Sequence, residues 1–273
     1  MAPHAPSLLP PVTDPSPWTV VGATDIGRRR TRNEDSFVLD PEHGIVVVAD
    51  GMGGHPGGDL ASRIAARATA DALARALANG SSPADRANVT PDTRERAMRD
   101  SVLEGHEAVL ARSRAEPRLF GMGTTTSALA LDGQGTGYTI GNVGDSRVYL
   151  FADGALEQLT RDDTWLEDRI RSGHIRREDA QGHPEGHLLT QCIGLDQTPD
   201  PRVSSGTSEP GDVFLLCSDG LMACLTDGEI TALLARTLDG TREGTERALK
   251  RLIDDANAAG GVDNITAVLV AVG

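Results

Sequence analysis

The chain has 273 residues, a length that allows one large hydrophobic core or two small ones. It carries 40 acidic residues against 26 Lys and Arg residues, and the formal net charge of −14 argues against a nucleic-acid-binding surface. No apolar run approaches the roughly 20 residues that cross a bilayer, and the N-terminus lacks the basic and apolar segments of a secretion signal. We therefore expect no membrane span and a cytoplasmic location, where the three cysteines are buried thiols rather than disulfides.

In chain order, the first feature is a proline-rich segment at the N-terminus. Residues 1–17 contain six of the 15 prolines and few side chains that could pack, so we predict a disordered tail. From residue 18 to residue 273 the sequence shows neither an internal repeat nor a second shift in composition. This stretch is predicted to be one domain.

Short apolar runs predict eight strands in that domain. They are residues 18–23, 37–39, 45–49, 124–131, 137–143, 148–151, 213–217 and 265–270. Asp-Gly turns in the segments LDGQG and FADGA favour antiparallel pairing of the strands that they join. The strands lack polar alternation, which indicates sheets that are covered on their outer faces.

Four helices are predicted between the strands. The first covers the Ala-rich residues 58–79, and the second starts at Pro91 after a threonine N-cap. A capping box at residues 226–229 opens the third, and the fourth runs from about Arg242 to the glycine pair at 260–261. Helices in pairs that alternate with antiparallel strands predict an α+β sandwich rather than a βαβ repeat.

Acidic residues recur at the ends of the predicted strands. They are Glu34, Asp35, Asp50, Asp145, Asp219 and Asp263. A single Asp-Gly pair after a strand is usually a turn, so the argument rests on the recurrence. If the six carboxylates converge on one sheet edge, divalent cations would relieve their mutual repulsion. An all-oxygen set favours Mg²⁺ or Mn²⁺ over Zn²⁺, which prefers Cys and His.

The loop after Asp50 is rich in glycine, which raises the alternative of a nucleotide-binding loop. Its sequence, GMGGHPGGD, fits neither the G-x-G-x-x-G spacing nor the G-x-x-x-x-G-K-[ST] motif. An aspartate at the start of the loop would also repel a phosphate directly. Metal ions between the carboxylate and the phosphate remove that objection.

Six segments, in order, resemble the signature motifs of the bacterial metal-dependent Ser/Thr protein phosphatases of type 2C. They are TDIGRRRTRNEDS, VVVADGMGGHPGGDLAS, GMGTTTS, GNVGDSRVY, LLCSDGL and GGVDNIT, within a match over residues 19–270. The resemblance implies a central β-sandwich of two antiparallel sheets flanked by helix pairs in α/β/β/α layers, with a dinuclear Mn²⁺ or Mg²⁺ centre at one end. It also implies hydrolysis of phosphoserine and phosphothreonine in proteins by a metal-bridging hydroxide, without a covalent phosphoenzyme.

The same resemblance assigns the centre of the site to residues 50–51. Asp50 is implied to bridge two metal ions, and the carbonyl of Gly51 to be a further ligand, which accounts for a loop with bare backbone. Asp219 and Asp263 would complete the coordination of one ion. Two ions about 3.5–4 Å apart lower the pKa of a shared water towards neutrality.

The segment RRRTRNED is implied to hold the second ion and the substrate. Glu34 and Asp35 would bind that ion directly or through water, and Asn264 would orient the site. Of the four arginines in the segment, Arg30 alone has the family's spacing to Asn-Glu-Asp. We expect it to bind the substrate phosphate, because its planar guanidinium suits phosphate oxygens. The other three are expected to form a solvated basic patch.

Position 52 departs from the pattern of many eukaryotic relatives, which have there the histidine proposed as the general acid. Met52 cannot donate a proton, so the leaving oxygen would be protonated by metal-bound water. His55 is expected to be a loop or supporting residue. Residues 161–190 resemble the family's flap beside the active site. His183 falls where bacterial relatives have a flap histidine implicated in substrate contact, although a lone histidine in a loop is usually just solvated.

Asp145 is the one carboxylate of the set that a two-metal mechanism does not need. Its segment, GNVGDSR, resembles one that supplies a ligand to a third, weaker ion in bacterial members, shared with the residue that matches Asp219. The alternative is that Asp145 caps the turn before Val148 or pairs with Arg147. The expected metal content is therefore two or three ions per chain.

The leading interpretation is a monomeric, cytoplasmic phosphatase that acts on phosphoproteins and opposes a bacterial Ser/Thr kinase. One alternative is the branch that dephosphorylates anti-sigma-factor antagonists, whose members usually carry an attached sensor domain. Another is a pseudophosphatase that binds phosphoproteins without hydrolysing them. The full set of expected metal ligands disfavours the pseudophosphatase.

Overall fold

The computed structural model describes residues 17–54, 56–78, 90–180 and 183–273. The predicted tail lies outside these ranges except for its last residue, and so does His55. The extent of the predicted domain, residues 18–273, and the tail itself therefore stay predictions. No helix in the described ranges is long and apolar enough to cross a membrane.

Ten strands pair into two sheets of five strands each. In chain order they are β1 (Trp18–Asp25), β2 (Asp35–Asp40), β3 (Ile45–Asp50), β4 (Thr126–Leu131), β5 (Gly137–Val143), β6 (Arg147–Ala152), β7 (Ala155–Gln158), β8 (Arg202–Thr207), β9 (Val213–Cys217) and β10 (Ile265–Val272). The first sheet has the order β1-β10-β9-β6-β7, and the second has the order β2-β3-β4-β5-β8. Every pairing within both sheets is antiparallel.

Six α-helices accompany the sheets in the described ranges. They are α1 (Gly58–Leu77), α2 (Pro91–Ala115), α3 (Trp165–Arg171), α4 (Asp219–Met222), α5 (Asp227–Thr237) and α6 (Arg242–Ala258). The helix α1 lies on the second sheet and against α2, while α6 lies on the first sheet and against α5. Each sheet is therefore covered on its outer face by a helix pair.

The core has three layers, because the inner strands bury both faces. Val46 and Val48 of β3 lie between the sheets together with Phe214 of β9. Val47, on the opposite face of β3, packs under α1 and α2. Leu215 of β9 packs under α5 and α6. Successive side chains of a strand point to opposite faces, so a strand between two apolar layers needs an unbroken apolar run. This arrangement confirms the predicted α+β sandwich with α/β/β/α layers.

The eight predicted strands are all present. The predicted Asp-Gly turn after β6 and the predicted capping box are also confirmed. Asp153 and Gly154, which join β6 to β7, both have positive φ (51° and 77°), as a two-residue type I′ turn requires. Thr226 and Glu229 form the reciprocal capping box at the start of α5. The strand predicted at 124–131 begins at residue 126, and Thr124 instead makes isolated bridges to the neighbouring loops.

The sequence analysis missed two strands and two α-helices, all of them short. The strands β7 and β8 form the edges of their sheets and are partly exposed, so neither carries the apolar run of an inner strand. The helix α3 lies inside the predicted flap, and α4 is a single turn after β9.

The prediction of buried thiols is right for two of the three cysteines. All three cysteines are free, Cys192 and Cys217 are buried, and Cys224 is partly exposed.

Candidate metal centre

The predicted carboxylates meet at one end of the sandwich. Asp35 is the first residue of β2 and pairs directly with Asp50, the last residue of β3. Asp219 follows β9, and Asp263 lies two residues before β10, the antiparallel neighbour of β9. Asp145 lies in the connection from β5 to β6, which passes from the second sheet to the first. Both sheets contribute, so the expectation of a single sheet edge was wrong.

Burial and like charge dominate the electrostatics of this end. Burial raises the pKa of Asp50 well above its usual range, and the neighbouring Asp35, Asp219 and Asp145 raise it further. Burial likewise raises the pKa of Asp35 to about 7 and that of Asp145 to about 8, with Asp219 adding to both. For Asp219 the causes are burial first and then Asp263. A cluster of this kind strongly favours a cation that offsets its charge.

The buried oxygens fit divalent cations chemically. Asp35 Oδ1 and Asp219 Oδ1 are buried and lack a hydrogen-bond partner within the described ranges. Buried carboxylate oxygens are normally paired, so unpaired ones are candidates for an ion. The donor set consists of oxygens, which suits Mg²⁺ or Mn²⁺. In the described part of the chain, however, no three Asp, Glu, His or Cys side chains are already arranged as metal ligands.

Ser218 and the threonines before β4 support the two central aspartates, and the sequence analysis assigned them no role. Ser218 Oγ donates to Asp35 Oδ2 at 2.7 Å. Thr125 Oγ1 accepts a hydrogen bond from the Asp50 N–H at 3.0 Å, and Thr124 Oγ1 donates to the Asp50 carbonyl at 2.8 Å. All three hydroxyls lie within segments that resemble family motifs, LLCSDGL and GMGTTTS, which was the available signal.

The loop at Gly51 has no room for a side chain. A Cβ atom on Gly51 would lie 2.3 Å from the carbonyl oxygen of Gly58, in the first turn of α1. The Gly51 N–H donates to the Glu34 carbonyl at 3.1 Å, and Gly51 also bridges Thr124. The close approach of α1 is thus a reason for bare backbone here, in addition to the predicted carbonyl ligand.

Asn264 holds the Arg-rich segment against the start of β10. Its Oδ1 accepts the Glu34 N–H at 2.8 Å, and its Nδ2 donates to the carbonyls of Ile26 and Arg32 at 3.0 and 2.8 Å. Burial raises the pKa of Glu34, while the nearby Arg30 lowers it. Through Asn264, the predicted ligand Glu34 is fixed relative to the neighbouring Asp263, which accords with the orienting role expected of this amide.

Arg30 reaches the site from the exposed side. Its Nη2 donates to Asp263 Oδ2 at 2.5 Å, and this hydrogen bond raises the pKa of the arginine. Its guanidinium also lies against the glycine-rich loop, because a Cβ on Gly53 would be 2.9 Å from Nη1. The Arg30 side chain is 41% exposed, so a ligand can approach it from solvent. Its role in phosphate binding stays a prediction.

The structure separates the two alternatives for Asp145 in part. Arg147 directs Nε and Nη2 to Asp162 at 2.9 and 2.7 Å and Nη1 to the Tyr149 hydroxyl at 2.8 Å. Its strong hydrogen bonds are therefore with Asp162 rather than with Asp145. The Val148 N–H donates to Thr160 Oγ1 at 3.1 Å. Burial and the nearby Asp219 raise the pKa of Asp145, while Arg147 lowers it. The third ion shared with Asp219 stays a prediction.

Several contacts join residues of the predicted flap, residues 161–190, to one another. Thr164 bridges Leu189, and the Trp165 N–H donates to the Leu188 carbonyl at 2.8 Å. The His183 ring packs on Trp165 with centroids 5.4 Å apart, and its Nδ1 accepts the Glu185 N–H at 3.2 Å. These contacts lie within the flap itself, so substrate contact by His183 stays a prediction.

Met52 is anchored beside the centre. Its N–H donates to the Gly123 carbonyl at 3.0 Å, and a Cβ on Gly123 would lie 2.7 Å from the Met52 sulfur. The thioether therefore packs on the segment that bridges Gly51. It has no proton to donate, so the general acid must come from elsewhere.

Comparison with known proteins gives relatives along nearly the whole chain. A family model described as protein phosphatase 2C matches residues 24–254. The serine/threonine phosphatase stp of Listeria monocytogenes is 36% identical over 253 residues, which cover 90% of this chain and 93% of that protein. The serine/threonine protein phosphatase PstP of Mycobacterium tuberculosis is 34% identical over 246 residues, which cover 90% of this chain and 43% of that longer protein.

Solved structures share the architecture. The Mycobacterium tuberculosis phosphatase PstP/Ppp superposes with a TM-score of 0.78 at 31% identity, covering 93% of this chain and 98% of that one. Stp1 of Staphylococcus aureus gives 0.80 at 27% identity, covering 93% and 94% of the two chains. The PstP catalytic domain in complex with two manganese ions gives 0.74 at 31% identity, covering 93% and 97%. The sandwich, its acidic end and these likenesses together place the chain in the protein phosphatase 2C family.

Proposed function

We propose that this protein is a metal-dependent serine/threonine protein phosphatase that hydrolyses phosphoserine and phosphothreonine in proteins. The observation that carries the proposal is a cluster of buried carboxylates at one end of the sandwich. It consists of Asp35, Asp50 and Asp219, with Asp263 beside them. The names of the relatives support it, since they are serine/threonine phosphatases. One related structure contains two manganese ions, which supports Mn²⁺ or Mg²⁺ as the cofactor here.

The metal ligands would come from both sheets. Asp50 and the Gly51 carbonyl would hold the ions together with Asp219 and Asp263. Glu34 and Asp35 would complete the ligand set, and the pKa values of these two carboxyls respond to Asp263 and Asp219 respectively. Bound ions would lower the pKa of a coordinated water and offset the charge on the phosphoryl oxygens. The hydroxyl of Ser218 keeps Asp35 oriented, because it donates directly to that carboxylate.

The chain's own residues then position the substrate. Asp263 holds one nitrogen of Arg30, which sets the plane of the guanidinium at the open side of the cluster. A guanidinium held in this way suits two oxygens of a phosphate monoester. Met52 cannot protonate the leaving serine or threonine oxygen, so we expect water to do so. The packed hydroxyls of Thr124 and Thr125 keep the backbone of Asp50 in place during turnover.

Phosphoprotein substrates follow from the proposed activity, and a Ser/Thr protein kinase is the natural opposing partner. A monomeric state and a cytoplasmic location stay predictions from the sequence. The net charge of −14 supports the view that nucleic acid is not a partner.

The test uses the full chain and a phosphothreonine peptide. Treatment with EDTA should abolish phosphate release, and added Mn²⁺ should restore it, because the cluster consists of hard oxygen ligands. Full turnover in the metal-free protein would rule out the mechanism. Peptide binding without turnover at saturating Mn²⁺ would instead identify a pseudophosphatase.

A further inference from the structure

Asp163 is a buried carboxylate that the mechanism above does not use. Its side chain has no exposed surface, although it lies at the base of the predicted flap. Oδ1 accepts a hydrogen bond from Arg202 Nε at 2.7 Å, and Oδ2 accepts one from the Gly144 N–H at 3.2 Å. A buried charge needs partners of this kind to be tolerated. The side chain therefore joins β8 to the residue directly before Asp145.

The backbone of Asp163 adds two further links. Its N–H donates to the Gly144 carbonyl at 2.9 Å, and its carbonyl accepts the Thr190 N–H at 2.8 Å. Thr190 is the last residue of the predicted flap, and Asp163 is its third. Asp163 thus ties both ends of the flap to each other and to the turn at Gly144 and Asp145.

The turn itself is confined on its other side. Gly144 has φ of 100°, and a Cβ atom there would lie 2.6 Å from Thr125 Cγ2. Asn142 Nδ2 donates to the carbonyls of Gly144 and Arg161 at 3.1 and 3.3 Å, which is a second link between the turn and the flap base. With Thr125 on one side and Asp163 on the other, the turn has little freedom to shift independently of the flap.

The Asp163 side chain is fully buried whereas Arg202 is 38% exposed, so the carboxylate depends on Arg202 and the Gly144 N–H together to be tolerated there. We propose that Asp163 is a positioning residue that locks the base of the flap to the Gly144–Asp145 turn, so that the flap and Asp145 are placed together. The catalytic consequence rests on the proposed phosphatase function. The structural coupling does not, and it can be tested separately.

The first test is hydrogen exchange on the full chain. Asp163→Ala removes both side-chain hydrogen bonds, so exchange should accelerate about tenfold or more in the peptides that contain Gly144 and Thr190. Asp179→Ala is the matched control, because Asp179 pairs with Arg176 inside the flap, and it should leave both peptides at the wild-type rate. Wild-type exchange at Gly144 in folded Asp163→Ala would overturn the proposal.

The second test asks whether Asp163 acts through Asp145. Turnover of a phosphothreonine peptide should fall about tenfold in Asp163→Ala, and turnover of p-nitrophenyl phosphate should fall less. The double variant with Asp145→Ala should be within about twofold of Asp145→Ala alone. Losses that multiply, or wild-type turnover in Asp163→Ala, would refute action through Asp145.

If Asp163→Ala does not fold, Asp163→Asn takes its place. Its amide has one acceptor oxygen for two donors, Arg202 and Gly144, so the same exchange and kinetic pattern should appear at about threefold, and a wild-type pattern would overturn the proposal. If Asp145→Ala alone keeps wild-type turnover, the prediction of a catalytic third ion at Asp145 fails. The exchange data then still decide whether Asp163 joins the flap to the turn.

Discussion

Replacing Asp35 by asparagine should stabilise the metal-free fold while it removes activity. Burial raises the pKa of this carboxyl from 3.8 to about 7, so the folded state takes up a proton that the unfolded chain releases. The free energy of unfolding therefore decreases as the pH rises from the pKa of Asp35 in the unfolded chain to its pKa in the folded state. A shift of this size corresponds to about 4 kcal/mol at pH 8. The effect is shared with neighbouring carboxylates, so we expect about 2–4 kcal/mol of added stability in Asp35→Asn.

The assay is urea unfolding in EDTA at pH 8 and pH 5. The asparagine side chain keeps an acceptor for the Ser218 hydroxyl. The added stability of Asp35→Asn over wild type should fall at pH 5 to less than half of its value at pH 8, because Asp35 of the folded wild type is protonated at pH 5. Asp254→Asn, in an exposed pair with Lys250, is the control and should change stability by less than about 0.5 kcal/mol. Added Mn²⁺ should stabilise wild type more than Asp35→Asn. A variant no more stable than wild type at pH 8, or a gain independent of pH, refutes the reasoning.

Three further predictions concern catalysis. Asp50→Asn and Asp263→Asn should each lower kcat by at least about 10³-fold in steady-state assays with Mn²⁺, because each removes charge from the metal centre; a loss under tenfold would contradict the ligand assignment. Arg30→Ala should raise KM with a smaller fall in kcat, and unchanged constants would show that another arginine binds the phosphate. Asp145→Ala should keep two tight metal ions by calorimetry and lose turnover more on phosphopeptides than on an aryl phosphate. Unchanged metal content with wild-type turnover of both substrates would exclude a catalytic third ion, and unfolding would favour a turn cap.

Much of the fold could be predicted because inner strands of a sandwich have a local signature. Val47 and Val48 of β3 face different apolar layers, so the strand reads as an unbroken apolar run. The edge strands β7 and β8 face solvent on one side, and their sequences, ALEQ and RVSSGT, carry no comparable signal. The carboxylates could be predicted because oxygen ligands recurred at the ends of such runs and within segments that resemble one family.

The partners in the supporting contacts could not be predicted, even where a supporting role was expected of Asn264, because these contacts join residues far apart in the chain. Ser218 and Asp35 are separated by 183 positions, and Asn264 and Glu34 by 230. A serine or an asparagine has the same local character whether or not it meets a carboxylate or an amide. The partner of Arg147 illustrates this: sequence offered Asp145, two residues away, whereas the fold supplies Asp162.

Residue type by itself determined which side chains suit a divalent cation, since carboxylate oxygens are the ligand type that Mn²⁺ and Mg²⁺ prefer. Tertiary structure alone decided which of them meet. Antiparallel pairing makes β2 begin where β3 ends, and β10 begin where β9 ends. Stacking of the two sheets then brings Asp35 and Asp50 against Asp219 and Asp263, because all four lie at the same end of the sandwich.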